Sequence, residues 1–218
     1  MVYAIILAAG SGERFNKSPI KPLFLIKHKP LFLHSLDTFL SSNKIDQILL
    51  VINKKHQSSF SKYLKALKYK KVLICYGDSS ARYKSLINAM KYLKQVQPLS
   101  NRDIILTHDA ARINVTTDII NMNISVAQKT GCASTVLPLH DSIGEIKNTM
   151  KYLDRTHKYL IQTPQTIQYK HWSEIKVINP QKITDLFTYL NIKIKQTNLV
   201  LGSLWNFKIT TVEDLKLI

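Results

Sequence analysis

Glycines and cations near the start of the chain form the pattern with the clearest chemical meaning. The run Leu7-Ala8-Ala9-Gly10-Ser11-Gly12-Glu13-Arg14 follows an apolar segment, Tyr3–Leu7, that is typical of a buried strand, and Lys21 comes seven residues after Arg14. Two glycines let the backbone approach a ligand closely, and the N–H groups of such a turn can point at phosphate oxygens. With the planar guanidinium of Arg14 and the mobile ammonium of Lys21, the pattern suits a triphosphate. A tight strand-to-helix turn without a ligand is the alternative interpretation.

Two better-known nucleotide motifs do not match this loop. It is not a Walker A loop, because no Gly-Lys-Ser/Thr follows, and it is not the dinucleotide fingerprint, because Phe15 stands where the third glycine should be. Asn53 ends the second predicted strand, where a nicotinamide-dependent enzyme usually has an acidic residue. The sequence therefore disfavours a nicotinamide oxidoreductase.

A second candidate is the run His108-Asp109-Ala110-Ala111-Arg112, which follows another predicted buried strand. A carboxylate such as Asp109 at the carboxyl end of a strand can hold Mg²⁺, which takes hard oxygen ligands and usually few from protein. Ala110 and its neighbour are small and would leave room for a base or a sugar. Asp109 could instead cap a helix or pair with Arg112. We predict that His108 is packed or hydrogen-bonded rather than a metal ligand, because no partner ligands lie near it in the sequence.

Two weaker motifs lie further along the chain. Gly77-Asp78 with Arg82 and Ser85 forms a second loop-to-helix junction, where short polar residues can hydrogen-bond a base or ribose. A helix N-cap is an equally good interpretation of Asp78. Lys208, in Asn206-Phe207-Lys208, would be a solvated lysine if it were considered without context.

Apolar runs that alternate with helical patterns predict an α/β fold with right-handed βαβ units and a mostly parallel sheet. The predicted strands are Tyr3–Leu7, Gln47–Ile52, Lys71–Tyr76, Ile104–Thr107 and Ala133–Leu137, and the predicted helices are Leu31–Leu40, Gln57–Leu67, Ala81–Leu93 and Thr117–Lys129. Ligands of such sheets bind beyond the carboxyl ends of the strands. The glycine loop and both acidic turns fall at that edge.

The alternation changes over residues 138–163, which contain no convincing helix and could form a long loop or a projecting β-arm. Beyond this segment we predict a helix over Gln181–Leu190 and strands over Lys193–Leu201 and Phe207–Thr210. Thr211-Val212-Glu213-Asp214 resembles a capping box at the start of a final helix. The 218 residues fit one domain, residues 1–218, with an excursion.

Composition limits the class of protein. A formal net charge of +17 would normally suggest nucleic-acid binding, but 26 of the 31 basic residues are lysines scattered along predicted helices. We therefore expect no nucleic-acid partner, although the charge could attract anionic substrates. We also expect no membrane span and no signal peptide. Cys75 and Cys132 match no metal spacing and are predicted to be reduced core cysteines, which favours the cytoplasm.

In their order, these motifs resemble those of the 2-C-methyl-D-erythritol 4-phosphate cytidylyltransferases and their close relatives, the ribitol-5-phosphate cytidylyltransferases. The resemblance covers nearly the whole chain. Besides the glycine loop and Lys21, it includes Pro30-Leu31-Phe32-Leu33-His34-Ser35-Leu36, Gly77-Asp78 with Arg82 and Ser85, His108-Asp109-Ala110-Ala111-Arg112, Asp141-Ser142, Asp154-Arg155, Thr163-Pro164-Gln165, Thr184-Asp185, Asn206-Phe207-Lys208-Ile209-Thr210 and Glu213-Asp214-Leu215.

The resemblance implies a Rossmann-like nucleotidyltransferase whose β-arm interlocks two subunits of a homodimer. It implies Mg²⁺-dependent transfer of a cytidylyl group from CTP to a polyol phosphate, with release of pyrophosphate. Arg14, Lys21 and Lys208 would be the catalytic cations, and Asp109 would hold the metal ion. No serine or cysteine nucleophile is required, because the acceptor phosphate is itself the nucleophile.

The resemblance also divides other residues between the two substrates. CTP would be bound by Ala8, Ala9, Gly10, Gly12, Gly77, Asp78, Ser85 and Ala110. The acceptor would be bound by Arg112, Ser142, Arg155, Thr163 and Thr184, with Ser142 and Arg155 reaching the partner subunit's site from the arm.

The sequence leaves the acceptor open between two polyol phosphates. Asp154-Arg155 resembles the methylerythritol group and favours 2-C-methyl-D-erythritol 4-phosphate, an acceptor of isoprenoid precursor synthesis. Gln162-Thr163-Pro164-Gln165 and Thr210-Thr211 resemble the ribitol group, which would indicate wall or capsule polymer synthesis. Tyr76 stands where the family usually has a glycine, so a relative that binds nucleotide without catalysis is a further alternative.

Overall fold

A seven-stranded sheet forms the centre of the protein. The structure is a computed structural model that describes residues 1–10, 12–15, 19–65, 71–173 and 185–218. In chain order the strands are β1 (Val2–Leu7), β2 (Leu25–Ile26), β3 (Lys29–Pro30), β4 (Gln47–Ile52), β5 (Val72–Tyr76), β6 (Ile104–Asp109), β7 (Cys132–Pro138), β8 (Ile143–Ile146), β9 (Met150–Leu153), β10 (Tyr159–Gln168) and β11 (Leu199–Leu201). The central sheet has the order β11-β7-β10-β6-β1-β4-β5.

All strands of the central sheet except β10 run in the same direction. β1 pairs in parallel with β4 and β6, β4 with β5, and β11 with β7, whereas β10 is antiparallel to both of its neighbours, β6 and β7. The α/β fold with a mostly parallel sheet is therefore confirmed. Single antiparallel strands in such sheets are common.

Helices cover both faces of the sheet. They are α1 (Leu31–Ser41), α2 (Gln57–Lys65), α3 (Arg82–Val96), α4 (Thr117–Thr130), α5 (Lys170–Ser173) and α6 (Leu186–Leu190). Alternate residues of β1 enter different cores, with Ala4 and Ile6 on one face and Tyr3 and Ile5 on the other. Burial on both faces explains why the central strands are continuous apolar runs in the sequence.

The four long predicted helices and the first strands are confirmed with small shifts at their ends. Of the predicted helix Gln57–Leu67, the described part ends at Lys65. Of the predicted helix Gln181–Leu190, residues 181–184 lie outside the described residues, and the described part contains α6. In the described part of the chain, no helix is both long enough and apolar enough to cross a bilayer. Cys75 and Cys132 are both buried and unpaired, as predicted.

The segment over residues 138–163 contains a β-hairpin and the start of a central strand. β8 and β9 pair antiparallel with each other, from Ile143 opposite Leu153 to Ile146 opposite Met150. Tyr159 already pairs with Pro138 of β7, so residues from Tyr159 onward belong to the main sheet and not to a separate arm. The projecting part is therefore the β8–β9 hairpin with its flanking turns.

Three predictions for the C-terminal part are wrong in detail. The predicted strand over Lys193–Leu201 is reduced to β11, because the carboxamide of Asn198 bonds the backbone of Lys195 and Cys132 and stabilises a 3₁₀ turn. Residues Phe207–Thr210 form no strand and pair with none of the described strands. The last element is not an α-helix but a 3₁₀ turn, Glu213–Leu217. The carboxylate of Asp214, within this turn, accepts hydrogen bonds from the N–H groups of Thr210 and Thr211, which precede it.

Candidate active site

The predicted nucleotide-binding residues meet at the carboxyl ends of β1, β5 and β6. They line a cavity of about 140 Å³. Ten of the residues singled out in the sequence contribute to its wall: Ala8, Ala9, Gly10, Gly12, Lys21, Asp78, Ser85, Asp109, Ala110 and Lys208. Their positions along the chain differ by up to two hundred residues, so their convergence is a property of the fold.

Strand register brings the glycine loop beside the acidic turn. Leu7, the last residue of β1, is paired with Asp109, the last residue of β6. The N–H of Ala110 then donates to the carbonyl of Leu7 at 3.1 Å. On the other side, the N–H of Ala8 donates to the carbonyl of Val51 in β4 at 2.8 Å. The two loops therefore begin at a fixed separation.

The Asp109 carboxylate lies between two cations. Its Oδ1 accepts a hydrogen bond from Nε of Arg82 at 2.7 Å, and its Oδ2 accepts one from Nζ of Lys208 at 2.7 Å. Burial alone would raise the pKa of this carboxyl, but Arg82 and Lys208 more than offset burial and hold the pKa well below its ordinary value. Asp109 is therefore ionised at any physiological pH.

Arg82 is a residue of this site whose role was not predicted. Its guanidinium comes from the first residue of α3 and reaches across to β6. Among the described residues, Asp109 forms no ion pair with Arg112, so the alternative of a local Asp109–Arg112 pair is wrong. The signal for Arg82 was its type, because arginine is rare in this lysine-rich chain.

Lys21 also lines the cavity, and its pKa is strongly shifted. Its Nζ donates to the carbonyl of Ile209 at 3.1 Å. Burial, followed by the nearby charge of Lys208, lowers the pKa of Lys21 to about 8. Two ammonium groups held close together in a partly buried cavity form a site for a polyanion, because an anion relieves their mutual repulsion.

The lowered pKa of Lys21 predicts a pH dependence. The ammonium loses its proton as pH rises through about 8, so we expect kcat/KM for CTP to fall above that pH. This parameter is the informative one because it reports ionisation of the free enzyme. In Lys21→Arg the charge persists at alkaline pH, so this limb of the profile should disappear. An unchanged alkaline limb in Lys21→Arg would show that another group titrates.

Glycine is required at two points of the cavity wall. Gly12 has a φ of +69°, which L side chains rarely adopt, and a Cβ there would lie 3.0 Å from Cβ of Lys21. A Cβ on Gly77 would lie 2.6 Å from Oγ of Ser85 and 2.7 Å from Cβ of Ala9. Gly77 is therefore placed behind the lining residues, where it lets the β5 loop approach the glycine loop.

The second loop is organised by its own hydrogen bonds. The hydroxyl of Ser85 donates to the carbonyl of Asp78 at 2.7 Å and accepts from the N–H of Asp78 at 2.9 Å. The Asp78 carboxylate accepts hydrogen bonds from the hydroxyl of Ser80 and, at 2.6 Å, from the N–H of Ser80. These two bonds lower the pKa of Asp78. Both predicted residues line the cavity, and both also hold the loop in shape.

His108 is buried and neutral. Hydrogen bonds join its Nδ1 to Oγ1 of Thr163 at 3.0 Å and its Nε2 to the carbonyl of Arg112 at 3.2 Å. Burial lowers the pKa of His108 to about 3. The prediction of a hydrogen-bonded histidine is confirmed. Thr163 also accepts from the N–H of Asp109 at 3.2 Å, so β10 is tied to the end of β6 beside the carboxylate.

Several predicted residues lie away from the cavity. Arg14 is exposed in a 3₁₀ turn, although its charge helps to lower the pKa of Lys21. Ser142 and Arg155 are exposed on the segment that carries the hairpin, at either end of it. Thr184 lies outside the described residues.

Arg112 is held beside the cavity by backbone carbonyls. Its Nη1 donates to the carbonyl of Asn206 at 2.9 Å, and its Nη2 donates to the carbonyl of Ile161 at 3.3 Å. Its Nε is buried and has no hydrogen-bond partner among the residues that the structure describes. The guanidinium is therefore fixed at the junction between β10 and the segment that leads to Lys208.

The carboxylates available to a Mg²⁺ ion in this cavity are those of Asp78 and Asp109. Among the residues that the structure describes, no cluster of three histidine, cysteine, aspartate or glutamate side chains could hold a metal ion alone. Mg²⁺ commonly binds through one or two carboxylates together with substrate phosphates and waters. Cations of the cavity bind both oxygens of Asp109. A triphosphate would compete for those cations, so the Asp109 oxygens fit a metal ion that arrives together with the triphosphate.

A larger cavity lies elsewhere in the molecule. It measures about 530 Å³ and is lined mainly by apolar side chains of β7, β10 and residues 185–199. None of the predicted site residues that the structure describes lines it. Since the charges required for phosphate chemistry are in the smaller cavity, we assign the active site there.

The sheet and its cationic cavity define the class of protein as a Rossmann-like nucleotidyltransferase. The family model for 2-C-methyl-D-erythritol 4-phosphate cytidylyltransferase matches residues 2–218. The chain is 34% identical to the enzyme of that name from Thermosipho melanesiensis, over 100% of this chain and 96% of the relative. The chain belongs to this family, and it is a cytidylyltransferase.

Two further relatives are named for other activities. The chain is 36% identical to the bifunctional enzyme IspD/IspF of Pelagibacter ubique, over 97% of this chain but only 55% of that protein. It is 32% identical to the ribitol-5-phosphate cytidylyltransferase of Streptococcus pneumoniae, over 100% of this chain and 97% of the relative.

Solved structures support the same assignment. The 2-C-methyl-D-erythritol 4-phosphate cytidylyltransferase of Francisella tularensis superposes with a TM-score of 0.76 at 25% identity, covering 99% of this chain and 97% of the other. The 4-diphosphocytidyl-2C-methyl-D-erythritol synthase of Anaerococcus prevotii superposes with a TM-score of 0.75 at 26% identity, covering 100% and 93%.

Proposed function

We propose that the protein transfers a cytidylyl group from CTP to 2-C-methyl-D-erythritol 4-phosphate in a Mg²⁺-dependent reaction. The products are 4-diphosphocytidyl-2-C-methyl-D-erythritol and pyrophosphate, an early step of isoprenoid precursor synthesis. The observation that carries the proposal is the cavity in which Lys21, Lys208 and Arg82 surround the Asp109 carboxylate. Family membership supplies the identity of the nucleotide.

The reaction needs charge and position rather than a protein nucleophile. An oxygen of the acceptor phosphate attacks the α-phosphorus of CTP and forms a new phosphoanhydride bond. The bond between the α-phosphorus and the bridging oxygen breaks, and pyrophosphate leaves with the electron pair. No general base is required because a phosphate monoester is largely ionised at neutral pH. The buried His108, with its lowered pKa, does not accept a proton in this scheme.

The chain's cations stabilise charge on both sides of the reacting phosphorus. Lys21 binds the triphosphate from the cavity wall, which orients pyrophosphate as the leaving group, and Arg14 would reach the triphosphate from its exposed turn after the glycine loop. Lys208 contacts the α-phosphate from the opposite side. Fixed donors of this kind act where negative charge develops in the transition state.

Asp109 would hold Mg²⁺. When bound, the ion would neutralise charge on the phosphate oxygens and orient them for in-line attack. Nε of Arg82 bonds Oδ1 of Asp109 at 2.7 Å, and this bond keeps the carboxylate ionised and oriented.

The acceptor would be bound where two subunits meet. Within one subunit, Arg112 and Thr163 border the cavity, and Thr184 belongs to the predicted acceptor set. Ser142 and Arg155 would come from the partner's arm in a homodimer. The hairpin supports this proposal because it presents Ile146 and Tyr152 at 67% and 74% exposure, as expected for a surface that another subunit covers.

The shared site predicts complementation between two inactive variants. Lys21→Ala disables the nucleotide side of a site and Arg155→Ala the acceptor side. In a mixed dimer one site carries both changes and the other carries neither. Random exchange of equal amounts should therefore recover about one quarter of wild-type activity. The measurement is pyrophosphate release after mixing, with subunit exchange verified by native mass spectrometry of differently tagged chains. Exchange without recovery would contradict a shared site.

Ribitol 5-phosphate is the second candidate acceptor. The relatives support both, since their identities to this chain, 34% and 32%, are nearly equal. Asp154-Arg155 on the arm favours the methylerythritol phosphate. Pyrophosphate release should be measured with CTP, Mg²⁺ and each acceptor in turn. Release with methylerythritol phosphate alone supports the proposal, and release with ribitol phosphate alone contradicts it.

The proposal also places the reaction in the cytoplasm. The two cysteines are buried and unpaired, as expected in a reducing compartment.

A further inference from the structure

We propose that Asn206 is the positioning residue that fixes Lys208 and Arg112 relative to each other. The inference rests on the proposed function, in which Lys208 contacts the α-phosphate and Arg112 the acceptor. Asn206 touches neither substrate in this account. It acts through the two cations, because it joins the segment that carries Lys208 to the strand that borders Arg112.

The carboxamide of Asn206 is completely buried. Its Nδ2 donates to Oε1 of Gln162 at 3.0 Å and to the carbonyl of Thr163 at 3.0 Å. Both partners are acceptors, so only the amide nitrogen can occupy this position. The side chain thus binds two adjacent residues of β10.

Gln162 is oriented by a second set of hydrogen bonds. Its Nε2 donates to the carbonyl of Ser203 at 2.8 Å, which leaves Oε1 to face Asn206. A Cβ on Gly202 would clash with that Oε1, so the chain passes directly against the carboxamide. The loop over residues 202–206 is therefore docked on β10 through two interlocked amides.

The backbone of Asn206 completes the connection to Arg112. Its carbonyl accepts from Nη1 of Arg112 at 2.9 Å, while Nη2 of Arg112 bonds the carbonyl of Ile161, one residue before Gln162. The guanidinium therefore bridges the same two chain segments that the Asn206 side chain joins. A shift of Asn206 would move the Arg112 anchor as well.

Lys208 lies between two fixed points. Asn206 is the first, and the second is the fully buried Ile209, whose N–H donates to the carbonyl of Ala111 at 2.9 Å. Residues Phe207–Thr210 join no sheet, so no strand ladder positions this segment. Because misplacement of a catalytic group by about 1 Å can cost up to 10²-fold in rate, the Asn206 anchor has a direct effect on catalysis.

Asn206→Ala should reduce kcat by about 10- to 100-fold, because Lys208 and Arg112 lose a common anchor. The KM for CTP should change less than kcat, since the glycine loop keeps its contacts with β4 and β6. Asn206→Asp should behave similarly, because a carboxylate cannot donate to Gln162 or Thr163. Gln162→Ala should lower kcat in the same direction and add little to Asn206→Ala, because both changes break one unit.

Asn198→Ala is the matched control. Asn198 is also a buried asparagine, and its Nδ2 also donates to two acceptors, Thr130 and Cys132, but these lie away from the cavity. We expect a comparable decrease in melting temperature with kcat within about threefold of wild type. Amide exchange at Ile209 should accelerate in Asn206→Ala and not in Asn198→Ala.

The outcomes separate the two claims. A wild-type protein that releases no pyrophosphate with either acceptor contradicts the proposed function. A wild-type protein that is active, together with an Asn206→Ala variant that keeps kcat within threefold of it, overturns the positioning role. Equal losses of kcat in Asn206→Ala and Asn198→Ala would also overturn it, because they would reflect general destabilisation.

Discussion

Replacement of Lys208 by alanine should slow pyrophosphate release by about 10²–10³-fold and leave the fold intact. The ammonium is the only contact proposed for the α-phosphate on that side, and its Nζ is 2.7 Å from the Asp109 carboxylate. Lys21→Ala should produce a loss of similar size, with a larger effect on CTP binding. Initial rates over a range of CTP concentrations give kcat and the KM for CTP of each variant, and circular dichroism spectra check that the fold is intact.

Lys216→Ala is the control for loss of one positive charge near the C-terminus. Lys216 is exposed in the last 3₁₀ turn and does not line the cavity. We expect it to leave the rate unchanged. Near-wild-type turnover of Lys208→Ala would remove Lys208 from the mechanism, and the same result for Lys21→Ala would remove Lys21.

Asp109→Asn should reduce activity by at least a similar factor and should also abolish nucleotide-dependent metal binding. The substitution preserves the shape of the side chain. It removes the negative charge that Arg82 and Lys208 each contact at 2.7 Å. Mn²⁺ titration monitored by electron paramagnetic resonance, with and without CTP, reports metal binding independently of turnover.

The same substitution should also lower stability. Because Arg82 and Lys208 hold the pKa of Asp109 well below its ordinary value, the ionised form stabilises the fold above the unfolded-state pKa and this contribution is lost at acid pH. We expect Asp109→Asn to unfold at a lower denaturant concentration near neutral pH, with the difference narrowing at strongly acid pH. Asp118→Asn, at an exposed position in the first turn of α4, is the control.

Unchanged metal binding in Asp109→Asn would contradict the role given to this carboxylate.

The parallel half of the sheet and its loops were predictable because local sequence determines them. Doubly buried strands are apolar runs, and their carboxyl ends were followed by polar turns. Parallel pairing then brings those turns together, as the register of Leu7 opposite Asp109 shows. Ten predicted residues consequently line one cavity.

β10 was not predictable from apolar pattern, because its buried residues are polar. Gln162, Thr163, Gln165 and Thr166 are each at most 4% exposed, and each is hydrogen-bonded to another part of the chain. Hydrogen bonds to distant partners make this burial favourable. Such partners are determined by the tertiary structure. The pairing of Arg82 with Asp109 is another example, because the residues near each of them in the sequence do not predict the pair.

The most direct test of the central claim is the fate of the label from CTP. With CTP labelled at the α-phosphorus, wild-type protein, Mg²⁺ and 2-C-methyl-D-erythritol 4-phosphate, the account predicts that label enters a cytidine-containing product. With CTP labelled at the γ-phosphorus, all released label should be pyrophosphate. Transfer of γ-label to the acceptor, or no transfer of α-label to it, would contradict cytidylyl transfer by this site.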